Sequence, residues 1–329
     1  MAVTAQTNVS IAEVVNLLRE HDDYVICGHI SPDGDCIGAQ LALWHALKSL
    51  GKRATCVLVR SDPLGAALDF LPGAAEMVPA ADYNGVCKTF IGVDVPNRER
   101  IGLSACEILD SAQVSITIDH HAAPQRMCDY AYVDPDVAAA SVLVWEIIKQ
   151  LVGEPSFESA LCAYTGVLTD TGGFRFQNSD SRAFETASEL VACGVDPSYV
   201  ATNVYQSRTL ASLKLEAITI NRMDVFCDNQ AAMSWVDESD VLSVGADRAD
   251  LEPMIDVVRS VQGIRVACML REQDGKTRGN LRAKDETDVS ALARELGGGG
   301  HKAAAGFTID MPMREALDFM REKLTDLLS

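Results

Sequence analysis

The chain has 329 residues, of which 48% are hydrophobic and 23% are charged, a composition typical of globular proteins and unlike that of disordered ones. It is too long for one ordinary hydrophobic core and long enough for two domains. The net charge of −19 at pH 7 argues against a broad grip on long nucleic acid, because such binding depends on basic residues that displace counterions from phosphates.

Ten cysteines are scattered singly along the chain, with no CxxC pair. This pattern predicts small, buried, reduced side chains rather than a thiolate metal site or a disulfide framework. No run approaches the roughly 20 uninterrupted apolar residues that cross a bilayer, and the polar segment Met1–Ser10 lacks the pattern of a signal peptide. We therefore expect a cytoplasmic protein with no membrane partner. The sequence leaves a homodimer open.

Helical and strand-like patterns alternate through the first half of the chain. Ser10 and Glu13 form a capping-box pair that predicts the start of a helix. Short apolar runs rich in β-branched residues predict four strands: Tyr24–Cys27, Ala54–Val59, Thr89–Val93 and Val114–Ile118. Further helices are predicted at Ile37–Leu50, Ser141–Leu151, Phe157–Leu168 and Ser181–Cys193. The alternation predicts an α/β fold, a parallel sheet with helices on both faces.

A second, smaller α/β domain is predicted after this sheet. We expect the first domain to span residues 1–193, a helix-compatible connecting stretch 194–215, and the second domain 216–329. The patterns that support the second domain are a hairpin, two further strands and two helices: Arg222–Cys227 with Ala231–Val236, Gly263–Arg271, Thr277–Ala283, Asp288–Leu296 and Met313–Leu328. From Arg259 to Lys302, 9 Lys and Arg stand against 6 Asp and Glu. This basic segment in an acidic chain is equally consistent with a local anion site and with an ordinary mixed surface.

Three polar clusters each directly follow a predicted strand: His29–Asp35, Asp94 and Asp119–His121. Because ligands bind outside the carboxyl ends of the strands in such sheets, we expect the three loops to meet in one crevice. In the first cluster, two carboxylates and an imidazole stand within seven residues, and they are costly to bury unless they bind a cation or one another. Oxygen ligands combined with imidazole suit Mn²⁺ or a similar ion better than Ca²⁺.

The remaining polar motifs complete a candidate site. The adjacent side chains of His120 and His121 diverge, so one can bind a metal while the other contacts a phosphate. Alone, Asp94 and Asp170 are equally suited to cap a helix or a turn. Together with the first cluster, these residues supply six ligands for two metals: His29, Asp33, Asp35, Asp94, His120 and Asp170.

The glycine run Gly297–Gly300, followed by His301 and Lys302, is the last motif. Glycines let backbone amides approach an anion closely, and we expect a helix start behind the run to add its dipole. Arg282, at the end of a predicted strand, is placed to join this site. A flexible linker is the alternative interpretation of the glycines.

Together these motifs resemble those of the DHH phosphoesterase superfamily, and the glycine-rich turn resembles the signature of its DHHA1 domain. Within the family, the resemblance is strongest to the stand-alone nanoRNases, which act on short oligonucleotides and phosphoadenosine phosphate. It implies ligand sets for two Mn²⁺ ions, with Mg²⁺ or Co²⁺ as alternatives: His29 and Asp33 for one ion, Asp35, His120 and Asp170 for the other, and Asp94 bridging both.

The resemblance also implies roles for the remaining site residues. His121 is expected to contact the scissile phosphate, and Asp94, His120 and His121 are the expected catalytic residues. The substrate's nucleotide or terminal phosphate is expected to contact a second set: Arg282, Gly298, Gly299, Gly300 and His301. One departure is the stretch 280–283, where the family often has a serine beside the arginine.

A manganese-dependent hydrolase of short oligonucleotides and of 3'-phosphoadenosine 5'-phosphate is the function that this resemblance implies. A cyclic-dinucleotide phosphodiesterase shares the same catalytic parts and is the main alternative. A processive exonuclease would need additional nucleic-acid-binding domains, and a pyrophosphatase of the family would lack the turn at Gly297–His301. A non-catalytic nucleotide-binding regulator is less favoured, because it would be expected to have lost ligands.

Overall fold

The computed structural model describes residues 6–62, 64–65, 67–273 and 275–329. Residues 1–5, which form half of the polar N-terminal segment used for the localisation prediction, lie outside this part. The chain divides into two compact units, residues 1–207 and residues 208–329. The division falls inside the stretch 194–215 that was predicted to connect two domains, and most of that stretch is helical.

The first unit is built on a six-stranded sheet in the order β3-β2-β1-β4-β5-β6. Every neighbouring pair runs parallel, which confirms the predicted parallel α/β fold. Its strands are β1 Tyr24–Cys27, β2 Ala54–Leu58, β3 Val78–Pro79, β4 Thr89–Val93, β5 Val114–Asp119 and β6 Tyr130–Val133. The order of the strands reverses between β1 and β4, and such a reversal opens a crevice at the carboxyl ends of the strands.

Strand β1 shows why apolar clusters form on both faces of this sheet. All four of its residues are buried, as expected for a parallel strand that helices cover on two sides. Successive side chains point to opposite faces. Tyr24 and Ile26 pack into one apolar cluster, whereas Val25 and Cys27 pack into a second one.

Seven helices accompany this sheet within the described residues: α1 Ile11–Glu20, α2 Gly34–Ser49, α3 Gly102–Ser111, α4 Ala140–Leu151, α5 Phe157–Asp170, α6 Ser181–Ala192 and α7 Pro197–Tyr205. Helix α1 begins with the predicted capping box of Ser10 and Glu13. Helix α2 begins three residues before its predicted start. The Asp33 side chain caps it by accepting hydrogen bonds from the backbone N–H groups of Asp35, at 3.1 Å, and Cys36, at 3.0 Å.

The second unit contains a mixed six-stranded sheet in the order β11-β12-β10-β9-β8-β7. Only the β8–β9 pair is parallel, and the predicted hairpin is confirmed as β7–β8. The strands are β7 Asp224–Phe226, β8 Ala231–Val236, β9 Val266–Gln273, β10 Lys276–Ala283, β11 Gly299–His301 and β12 Ala304–Ile309. The helices are α8 Leu210–Asn221, α9 Glu238–Val244, α10 Met254–Arg259, α11 Val289–Glu295 and α12 Met313–Leu328.

The prediction of a helix start behind the glycine run is wrong. The run leads into the short strand β11, which turns back into β12. Gly300 has a φ of +142°, and a Cβ at this position would lie 2.5 Å from the carbonyl oxygen of Ala304. Glycine is therefore required at position 300, where β11 and β12 approach each other closely. Because a strand follows the glycine run, no helix dipole points at it.

Among the residues that the structure describes, none of the helices has the length and apolar character needed to cross a lipid bilayer.

Candidate metal centre

Three neighbouring strands of the first unit carry polar side chains at their carboxyl ends. His29 lies two residues beyond β1, Asp94 directly follows β4, and Asp119 is the last residue of β5. His120 and His121 come next in the chain. Because β1, β4 and β5 are adjacent in the sheet, these side chains meet at one edge, beside the reversal of the strand order.

Two packed helices bring further carboxylates to the same edge. Asp35 lies in the first turn of α2, and Asp170 is the last residue of α5. The helices approach closely at Gly38, where an added Cβ would lie 2.4 Å from the carbonyl oxygen of Cys162. Both Asp35 carboxylate oxygens accept hydrogen bonds from backbone N–H groups at the start of α4, at 2.6 and 2.9 Å. The N-terminus of α4 thus fixes this carboxylate in place.

The Asp94 carboxylate lies at the centre of the cluster. Its Oδ2 is 3.4 Å from His29 Nε2, and its Oδ1 is 3.3 Å from both His120 Nε2 and His121 Nδ1. The backbone of Asp94 has a φ of +55°, an uncommon conformation that aspartate tolerates better than most residues. Its N–H donates to the carbonyl oxygen of Ile118 at 3.0 Å. Strand β5 therefore holds Asp94 in the orientation that places its carboxylate among three imidazoles.

The other carboxylates divide into two groups around Asp94. Asp33 Oδ2 lies 3.8 Å from His29 Nε2. Asp35 Oδ2 and Asp170 Oδ2 lie 3.9 and 3.8 Å from His120 Nε2. This grouping follows the same division as the two ligand sets implied by the family resemblance, while the metal-binding roles of these residues stay a prediction.

Burial and mutual repulsion perturb the ionisation of the cluster. Burial, and next the charge of Asp94, raise the pKa of Asp35 to about 7. Burial also raises the pKa of Asp170 well above its usual range, and the charge of Asp35 adds to the effect. Although burial alone would raise the pKa of Asp94, contacts with His120 and His29 hold it below its usual range. The surplus of carboxylates favours bound positive charge, either protons or cations.

The donor set of the cluster fits divalent cations. The ligand atoms of Asp35, Asp94 and His120 lie within 4.8 Å of one another. Within the described part of the chain, the buried atoms His29 Nδ1 and Asp119 Oδ2 have no hydrogen-bond partner, although buried polar atoms are rarely unpartnered in folded proteins. Carboxylate oxygens combined with imidazole nitrogens suit Mn²⁺, Co²⁺ or Zn²⁺, whereas Ca²⁺ favours oxygen alone.

One backbone contact and one side-chain contact orient the histidine rings. His120 Nδ1 lies 3.4 Å from the carbonyl oxygen of Val137, so its Nε2 faces Asp94. His121 Nδ1 lies 2.8 Å from Asp119 Oδ1, which also accepts from the backbone N–H of His120 at 2.8 Å. Asp119 is fully buried. Asp119 lies in one of the polar motifs of the sequence but was not predicted to have a role in the site. The sequence pattern that could have indicated a role is a carboxylate at the end of an apolar strand, directly before two histidines.

The replacement Asp119→Asn is expected to lower kcat by about 10- to 100-fold, because His121 loses the charged acceptor that orients it. Steady-state kinetics of Asp119→Asn, His121→Ala and the double variant test this role. If Asp119 acts through His121, the double variant loses no more activity than His121→Ala alone. Additive losses would contradict the proposed positioning.

The residues predicted to bind the substrate's far end lie in the second unit. Arg282 and His301 are both register partners of Ala304, so they lie on the same face of the sheet. Gly299 is two residues from His301 along β11 and shares this face. The structure thus brings Arg282, Gly299 and His301 together. Gly300 alternates with Gly299 and does not share the face, and Gly298 precedes the strand.

Comparisons with known proteins agree with this architecture. The model of the DHH family's N-terminal domain matches residues 23–167, and the model of the DHHA1 domain matches residues 230–329. A bifunctional oligoribonuclease and PAP phosphatase NrnA of Thermus thermophilus is 31% identical over 96% of this chain and 94% of its own length. The protein of the same name from Bacillus subtilis is 25% identical over 90% of this chain and 92% of its own length.

More distant similarity extends to the cyclic-di-AMP phosphodiesterase PdeA of Listeria monocytogenes, which is 21% identical over 91% of this chain but only 47% of its own length. Among solved structures, an exopolyphosphatase-related protein from Bacteroides fragilis has a TM-score of 0.89 at 27% identity, with 97% of both chains covered. The family models, the 31% identity over nearly the whole chain and the shared architecture lead to one conclusion: this chain belongs to the DHH family and carries a DHHA1 domain in its second unit.

Proposed function

We propose that the protein is a hydrolase of phosphoester bonds that acts on short oligonucleotides, including dinucleotides, and on 3'-phosphoadenosine 5'-phosphate. The enzyme class follows from membership of the DHH family and from relatives that are named as oligoribonuclease and PAP phosphatase. One observation carries the proposal. The Asp94 carboxylate lies between His29 and His120, with Asp33 beside the first histidine and Asp35 and Asp170 beside the second.

This arrangement suits two cation positions that share one carboxylate. Two divalent cations, Mn²⁺ foremost, would supply an activated water and stabilise the charge on the attacking and leaving oxygens. Asp94 would contribute a ligand to both positions, because its two oxygens face different histidines. The hydrogen bonds from α4 keep Asp35 from turning away. The cluster is thus organised before substrate binds, which is the condition for strong electrostatic stabilisation.

His121 contacts the scissile phosphate in this mechanism. Its Nδ1 lies 2.8 Å from Asp119 Oδ1, which leaves Nε2 to contact a phosphate oxygen when substrate binds. Asp119 keeps the ring in one orientation. Negative charge that develops on the phosphate oxygens is then met by a fixed donor.

The second unit binds the far end of the substrate. Arg282 presents a planar guanidinium that suits the paired oxygens of a phosphate, and Gly299, without a side chain, leaves room on the same sheet face for an anion. The local charge of +3 between Arg259 and Lys302 supports an anionic ligand here. Short substrates are favoured because the acidic chain as a whole repels long polymers.

The replacement Arg282→Ala is expected to raise KM by about 10- to 100-fold with kcat changed little, because a charge-assisted hydrogen bond contributes about 1.5–3 kcal/mol. Steady-state kinetics with a dinucleotide measure this effect. Lys276→Ala, at the other end of the same strand, is the matched control and should leave KM unchanged. A fall in kcat with unchanged KM would place Arg282 outside the substrate site.

A hydrolysis panel tests the proposed function directly. In the presence of Mn²⁺, it compares a dinucleotide, 3'-phosphoadenosine 5'-phosphate, linear and cyclic diadenylate, pyrophosphate and a long single strand. We expect the first two and linear diadenylate to be cleaved fastest. A preference for cyclic diadenylate would support the alternative suggested by similarity to PdeA. Absence of hydrolysis of every phosphoester would overturn the proposal.

A further inference from the structure

Cys36 lies inside the candidate metal centre. It occupies the first turn of α2, next to Asp35, and is fully buried. Its Sγ, a ring nitrogen of His29 and a carboxylate oxygen of Asp94 lie within 4.8 Å of one another. Among the cysteines, all of which belong to the described part of the chain, Cys36 alone places its sulfur in such a group of candidate ligands.

The position of the sulfur is fixed by its surroundings. Cys36 Sγ accepts hydrogen bonds from the backbone N–H of His29, at 3.3 Å, and from Gln40 Nε2, at 3.4 Å. Directly beyond β1, an added Cβ on Gly28 would lie 2.1 Å from this sulfur. The end of β1 therefore leaves space for the thiol, and the thiol faces the edge of the sheet where the histidines and carboxylates meet.

A ring nitrogen of His29, next to Cys36, has no hydrogen-bond partner among the described residues. This atom, Nδ1, is buried, while His29 Nε2 lies 3.4 Å from Asp94 Oδ2. His29 is 5% exposed and Asp94 is 1% exposed, so bulk water is not their partner. Nitrogen, oxygen and sulfur donors thus lie within 4.8 Å of one another, and this combination is softer than the carboxylate and imidazole ligands alone.

We propose that Cys36 is a sulfur ligand for thiophilic divalent cations at the position of His29 and Asp94. The proposal rests on the proposed function, because it extends the same metal centre. Hard cations such as Mn²⁺ bind there through oxygen and nitrogen, whereas Zn²⁺, Cd²⁺ and Co²⁺ also bind the sulfur. Binding releases the S–H proton to solvent, and no oxidation state changes.

The test uses the full-length protein, freed of metal and titrated with Co²⁺. A cobalt–thiolate bond produces a ligand-to-metal charge-transfer band in the near-ultraviolet, and we expect this band in the wild type. Cys36→Ser and Asp94→Asn should lack it. Two controls should keep it: Cys193→Ser removes an exposed thiol, and Cys56→Ser removes a buried thiol of the same unit. Calorimetry should show Cd²⁺ affinity about tenfold weaker or more in Cys36→Ser, with Mn²⁺ affinity nearly unchanged.

The outcomes separate this proposal from the proposed function. If the wild type binds Co²⁺ and hydrolyses dinucleotides but shows no charge-transfer band, Cys36 is not a ligand and the proposed function stands. A band that persists in Cys36→Ser also overturns the proposal. If no divalent cation binds, both proposals fail. Thermal unfolding of Cys36→Ser and Cys36→Ala shows whether either variant is folded, and the wild-type spectrum decides the matter without them.

Discussion

The replacement Asp94→Asn is expected to lower kcat by about a thousandfold or more, because the carboxylate that we propose both cation positions share would lose its charge and one of its oxygens. Asparagine keeps the size of the side chain and also tolerates the positive φ of this position. In the metal-free protein, the change removes the partner of His29 and His120 but also relieves the repulsion that raises the pKa of Asp35. These effects oppose each other, so we expect a small change in unfolding temperature.

Asp134→Asn is the matched control for this experiment. Asp134 is also a buried carboxylate that follows a strand of the same sheet, but its Oδ2 accepts a hydrogen bond from Arg182 Nη1 at 2.8 Å. Arg182 is partly exposed and keeps its ion pair with Glu146, so the change should reduce the free energy of unfolding by about 1–3 kcal/mol and leave kcat nearly unchanged. Wild-type turnover in Asp94→Asn would contradict the proposed metal centre.

Removal of divalent cations is expected to abolish turnover and to lower the unfolding temperature of the first unit. A cation at 100 times its Kd stabilises the folded state by about 2.7 kcal/mol. For a unit of this size, each kcal/mol corresponds to roughly 2–4 °C, so one bound cation should raise the unfolding temperature by about 5–10 °C. Differential scanning calorimetry with a chelator, followed by Mn²⁺, Mg²⁺ or Ca²⁺, measures this shift.

The same calorimetric series contains its own control. Asp94→Asn should lose most of the cation-dependent shift, whereas Asp134→Asn should keep it at a lower starting temperature. We expect Mn²⁺ to restore turnover and Ca²⁺ to do so poorly, since the imidazole ligands disfavour Ca²⁺. Full turnover in excess chelator would show that the cluster serves another purpose.

Much of the first unit could be predicted because its strands are short apolar runs. Strands β1 and β4 have the predicted bounds, Tyr24–Cys27 and Thr89–Val93. Once a parallel sheet is accepted, polar residues that follow adjacent strands must lie at one edge. The convergence of His29, Asp94 and His120 is therefore a consequence of topology that needs no knowledge of distant contacts.

Other features depend on contacts that a local pattern does not contain. The hydrogen bonds that fix Asp35 come from residues more than 100 positions away. The role of Asp119 depends on the direction in which the His121 side chain points after β5 ends. Gly300 supports a hairpin rather than a helix start, because the neighbouring strand β12 approaches it closely. Cys36 was predicted to be an ordinary buried cysteine. It lies in the candidate metal centre, in the first turn of α2, which begins earlier than its apolar pattern indicates.

The crossing of α2 and α5 at Gly38 has a consequence for how this enzyme can change. Asp35 and Asp170 lie on these two helices, so the distance between the two proposed ligands depends in part on the bulk of a residue that is not a proposed ligand. Selection for a larger or smaller ion need not alter any ligand. Selection can instead act on the contact between α2 and α5, where one added methyl group would increase the distance between the helices. Such adaptive changes would look like neutral packing substitutions.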